Sequence, residues 1–238
     1  MSGHSKWATT HRQKAIVDSK RGTIFTKLAN NISVAARKGG DPEANSSLRT
    51  AIEKARSANM PKDNIERAIK KGTGELDGAQ VEELYYEALG PGGLQVVVKS
   101  VTDNKNRSAS TIRHSFSKAG GSFGSVLWNF SQKGIFLLPD EQLAPLDREE
   151  FILELIDQGA TDVQTETEGL TIYTDLSDFQ KMSDFLKGKN LNPESADIAY
   201  VAQEKIVLSP EDQTKADRLL AELDDNEDVS DYYLNSDW

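Results

Sequence analysis

The sequence predicts an α+β fold, with an N-terminal helical bundle followed by two α/β domains, one inserted into the other. Three observations carry this expectation. Apolar residues recur at helical spacing as far as Gly72, and beyond it short apolar strands alternate with helices. The turn-rich GTGELDG (72–78) marks the change. Charge is divided along the same line. Residues 1–72 hold 15 Lys and Arg against 6 Asp and Glu, residues 73–135 hold 6 of each, and residues 136–238 hold 7 against 26. The three parts carry +9, 0 and −19 within a formal net charge of −10.

Taken in order, MSGHSKWATTHRQKAIVDSK reads as a basic arm. In TIFTKLANNISVAARKGG, Phe25, Leu28, Ala29, Ile32, Ala35 and Ala36 form a helical stripe that Gly39-Gly40 stop. Asp41-Pro42 reads as an N-cap with proline at the first helical position, opening a helix striped by Leu48, Ala51, Ile52 and Ala55. Pro61 opens a third helix with Ile65, Ala68 and Ile69 inside and Gly72 as its C-cap. Three such stripes are marginal alone and bury one another in a small bundle.

Beyond the linker, LQVVVKSV is a strand, NKNRSASTIRHSFSKAGG a helix and SVLWNF a strand. GIFLLP, the helix EEFILELIDQGA, a hairpin around Gly169, the helix SDFQKMSDFLKGKN and the strand in IAYVAQ then make a β-α-β-β-α-β unit of ferredoxin-like type. What remains, KIVLS, PEDQTKADRLLAELDDN and DYYLN, reads as strand, helix and strand. It completes a second such unit with residues 94–130. The expected domains are therefore 1–76, a discontinuous 77–133 with 204–238, and the insert 134–203.

Composition excludes several classes. A hydrophobic content of 37% with 28% charged residues suits a soluble globular protein. No apolar run approaches the roughly 20 residues that span a bilayer, and the N-terminus has no apolar signal-type stretch, so a cytoplasmic location is expected. The absence of cysteine removes disulfides, thiolate metal sites and cysteine nucleophiles. His4 and His11 lie seven residues apart with only Asp18 as a further ligand, too few for a zinc site. GPGG (90–93) runs into a strand and AGGSFGS (119–125) follows a helix, and neither matches a dinucleotide or P-loop pattern. Ser122 and Ser125 lack a nucleophile elbow, and His114 sits within a helix. DDNED (224–228) lacks the offsets of a calcium loop and reads as a solvated helix end and turn. The expectation is a non-enzymatic protein with no catalytic residues, metal, cofactor or small-molecule substrate.

The basic helical part carries the functional expectation. Lys6, Arg12, Lys14, Lys20, Arg21 and Lys27 lie along the arm and first helix, and Arg37, Lys38, Lys54, Arg56, Lys62, Arg67, Lys70 and Lys71 decorate the bundle. Such residues neutralise phosphates without reading sequence, and six contacts imply a log–log salt slope of about −5 on duplex DNA. The acidic remainder repels a polyanion, so binding is oriented with the N-terminal end inward. Trp7 is placed to pack on the bundle or to stack on a base.

GHSKWA (3–8), DSKRG with IFTKL (18–28), AARKGGDP (35–42) and KARSANMPKDNIERAIKKGTGEL (54–76) closely resemble the YebC/PmpR family. Tyr86-Glu87, GPGG (90–93), TDNKNR (102–107) and RHSFSKAGG (113–121) continue the match. The resemblance implies a three-domain, cytoplasmic, DNA-binding regulator of transcription. The family also includes the mitochondrial translational activator of cytochrome c oxidase. That membership implies the alternative of a ribosome-associated translation factor whose partner is ribosomal RNA.

Overall fold

In the computed structural model, residues 21–76 and 80–236 are described. They divide into two compact units, 21–126 with 208–232 and 127–207 with 233–236. Among the described residues the fold is α+β, with eight helices and two four-stranded sheets.

The first unit opens with three helices, α1 (Arg21–Ala36), α2 (Ser46–Ser57) and α3 (Lys62–Thr73). Ile32, Ala36, Leu48, Ile52, Ala55, Met60, Ile65 and Ala68 form their shared core, as the helical stripes require. Two helix ends differ from expectation. Asp41 does not cap α2; its carboxylate accepts from Glu43 N (2.9 Å) in the preceding turn. The cap is Asn45, whose Oδ1 accepts from Leu48 N (3.1 Å). Its amide donates to Ala35 O and Gly39 O, both at 2.8 Å, so one side chain satisfies the start of α2 and the end of α1. Gly72 is likewise not the cap of α3. It lies inside the helix, where a Cβ would fall 2.3 Å from Ser33 O. Gly74, with φ 82°, closes the helix in the left-handed region.

The same unit holds β1 (Glu82–Leu89), β2 (Gln95–Thr102), α4 (Lys105–Lys118) and β3 (Ser122–Phe123), and after the insert α8 (Pro210–Asp225) and most of β8 (Val229–Leu234). Its sheet has the order β3-β1-β2-β8. The third strand of this sheet is not KIVLS but β1, which pairs antiparallel with β2 over its whole length. KIVLS is irregular, with Val207 93% exposed. SVLWNF is not a strand either. Its Leu127–Asn129 forms a 3-10 turn, and Val126 N donates to Glu87 Oε2 (2.6 Å) instead of entering a ladder.

The second unit is built on β4 (Phe130–Pro139), with α5 (Asp140–Leu143), α6 (Arg148–Asp157), β5 (Ala160–Thr165), β6 (Gly169–Thr174), α7 (Phe179–Gly188) and β7 (Ser195–Ala202). The sheet order β5-β6-β4-β7 realises the expected β-α-β-β-α-β unit. Phe136, Leu138, Phe151, Leu155, Ile172 and Met182 are central to its core. Asn129 ties the entry of this unit to its exit, accepting from Glu204 N and donating to Glu204 O, each at 2.8 Å.

Candidate nucleic-acid interface

The cations expected to meet nucleic acid fall into three groups. Lys6, Arg12, Lys14 and Lys20, with His4, Trp7 and His11, lie outside the described residues; Arg21 is the first residue of α1.

A second group gathers at one end of the bundle. A Cβ on Gly40 would meet Thr73 Cγ2 at 2.7 Å, and one on Gly72 would meet Ala36 Cβ at 2.7 Å. The chain leaving α1 therefore runs beside the last turn of α3, which brings Arg37 and Lys38 to the same end as Lys70 and Lys71. Arg37, Lys38, Arg67 and Lys70 are exposed. Arg37 keeps one anchor, donating from Nη1 to Val81 O (3.3 Å). Arg67 and Lys70 are three residues apart on α3 and share a face. Two helix C-termini meet here, and their partial negative charges favour cations. That accounts for part of the cluster without any ligand.

In the third group, Lys27, Lys62 and Lys71 each face a partner in the protein, Lys27 partly buried and Lys62 at the surface. Lys27 is turned inward and donates to Asp224 O (2.7 Å). Burial lowers its pKa from the ordinary 10.5, opposed by Asp224, Asp231, Asp225 and Glu227. Lys71 faces Asp103 at 3.5 Å. Lys62, 86% exposed, lies 3.4 Å from Glu66 on α3.

DDNED (224–228) is not a freely solvated turn. Asp224 and Asp228 are buried at 9% and 6% exposure. Arg107 grips Asp228 with two bonds, Nε to Oδ2 at 3.0 Å and Nη2 to Oδ1 at 2.7 Å, and also reaches Asp103 Oδ1 at 3.2 Å. Hydrogen bonding to Asp228 raises the Arg107 pKa further, so it is a permanent cation here. These groups border a polar cleft of about 760 Å³ that also takes in Thr26 and Asn30 of α1. Sequence reasoning missed Arg107; its only signal was the TDNKNR stretch.

Among the described residues no group of three or more His, Asp or Glu side chains is placed to hold a metal ion. His114 is exposed on α4, and Ser125 donates to Glu87 Oε2 at 3.2 Å. No helix among these residues is long and apolar enough to cross a membrane.

Such an arrangement defines an α+β protein whose helical domain presents an exposed cluster of cations where α1 and α3 end. The chain belongs to the TACO1/YebC family. Residues 5–75 match the family's N-terminal domain and residues 81–236 its second and third domains. A probable transcriptional regulatory protein of Thermoanaerobacter pseudethanolicus is 45% identical over 99% of this chain and 96% of its own. One from Treponema pallidum is 48% identical over 100% of this chain and 97% of its own. The crystal structure of a conserved hypothetical protein from Aquifex aeolicus superposes with a TM-score of 0.80 at 40% identity, covering 92% of this chain and 91% of that one.

Proposed function

We propose that this protein is a nucleic-acid-binding regulator that acts through its basic helical domain, with DNA as the partner and transcription as the process. The observation that carries this reading is the exposed cation cluster where α1 and α3 end, within an N-terminal segment of charge +9 on an otherwise acidic chain. The names of the curated relatives support the regulatory part. Phosphate neutralisation supplies the affinity, and the acidic body orients the head toward the polyanion.

A second reading, a translation factor on ribosomal RNA, is favoured by the distribution of the cations. They cluster at helix ends on two elements instead of lining one helix that could enter a major groove, which suits backbone and shape recognition. The test common to both is Arg67→Glu with Lys70→Glu, read by fluorescence anisotropy on labelled duplex DNA and structured RNA. Affinity should fall roughly tenfold or more, with the circular dichroism unchanged. Unchanged binding across several salt concentrations would overturn the assignment. Crosslinking in cells followed by sequencing separates the partners: promoter DNA supports the first reading, ribosomal RNA the second.

A further inference from the structure

Between α2 and α3 the helical bundle carries a crevice of about 290 Å³. Its floor is apolar, made by Ile52, Met60, Ile65 and Ile69, the first three of them almost fully covered. Its charged lining is Arg56, Lys62 and Glu66, all three exposed. The volume lies at the lower end of small-molecule pockets, the size class of one nucleobase and not of a base pair.

An apolar floor beside two cations complements a nucleotide, whose base offers a flat apolar face and whose phosphates are anionic. Glu66 sharpens the match. On a phosphate-binding surface a carboxylate costs affinity, yet here it lines the crevice 3.4 Å from Lys62. A carboxylate is useful at that point if it accepts hydrogen bonds from a base edge. Guanine alone among the common bases presents two adjacent donors on its Watson–Crick edge, N1–H and the N2 amino group, which a carboxylate accepts side by side. That edge is free only when the base is unpaired, and the floor is reached only when the base is unstacked.

We propose that this crevice seats one unpaired guanine of the bound nucleic acid. Its base lies against Ile69 and the small exposed parts of Ile52, Met60 and Ile65, its Watson–Crick edge meets Glu66, and its flanking phosphates meet Arg56 and Lys62. The proposal rests on the nucleic-acid-binding reading above and adds a base preference to it.

The test uses the full chain and two fluorescein-labelled hairpins, one of RNA and one of DNA, each with a single loop guanine among adenines. In matched probes that guanine is replaced by adenine, cytosine or an abasic site. The guanine probe should bind roughly tenfold more tightly than the abasic one. Glu66→Gln should abolish that preference while leaving affinity for the abasic probe unchanged or improved, and Arg56→Gln should weaken binding to every probe. Both positions are at the surface, so folding is preserved and is verified by circular dichroism. A preference confined to the RNA set assigns the guanine to RNA; one confined to the DNA set assigns it to single-stranded DNA. Equal affinity for all probes, with binding still lost in the Arg67/Lys70 variant, would overturn the guanine site alone. No binding of any hairpin or duplex would overturn this proposal and the parent reading together.

Discussion

Lys27 and Arg107 show how little a residue's type says about what its charge does. Both belong to basic stretches, and both are engaged by the acidic 224–228 segment, Lys27 partly buried and Arg107 half exposed. Lys27 has a pH signature. Because burial depresses its folded-state pKa, the unfolded chain holds this proton more tightly. The folded state therefore gains stability as pH rises from the depressed value toward 10.5. Wild type compared with Lys27→Met in urea unfolding should show a stability difference that shifts in favour of wild type over that alkaline window. A pH-independent difference would mean that the ammonium is solvated. None of this was readable from the sequence, where Lys27 and Lys70 look alike. What separates them is the return of α8, 197 residues later, beside α1.

At the scale of elements, α1 and α3 are in contact because Gly72 has no side chain. Alanine is the better helix former by about 1 kcal/mol, but its Cβ would meet Ser33 O at 2.3 Å and Ala36 Cβ at 2.7 Å. Gly72→Ala should therefore destabilise by about 1–3 kcal/mol through overpacking. The control Gly188→Ala, in α7 with open space around it, should be neutral or stabilising by up to about 1 kcal/mol. Thermal melts of the two variants decide it, and melts that shift alike would remove the packing argument. The helices themselves were legible because an apolar stripe is a local pattern. Their ends were not: Gly72 and Gly74, or Asp41 and Asn45, are equivalent signals until tertiary neighbours choose between them. The sheets divide in the same way. Apolar GIFLLP and LTIYTDL announce themselves, whereas EELYYEAL, with three glutamates and only Ala88 fully buried, shows no clear two-residue period. KIVLS has strand composition but forms no strand, and Ile206 N donates instead to Asn235 O just past the end of β8.

For the whole molecule, the division of charge outweighs its sum. A protein of net charge −10 and sequence pI near 4.9 should avoid polyanions if only the total counted. This one should be retained on heparin at low salt, and Arg67→Glu with Lys70→Glu should elute markedly earlier. Coincident elution would show that the cluster where α1 and α3 end does not govern the interaction. The insertion has a consequence in time. Val101 N of β2 donates to Asp228 O at the entrance to β8, 127 residues downstream, and β8 is the neighbour of β2 on that side, so the outer edge of β2 has no partner until the whole insert has been synthesised. At roughly 5–20 residues per second that edge waits for something on the order of ten seconds, while the three-helix head, complete by residue 73, is already outside the synthesising machinery. The cationic part of the protein is thus ready to meet a polyanion before the body that carries most of the acid exists.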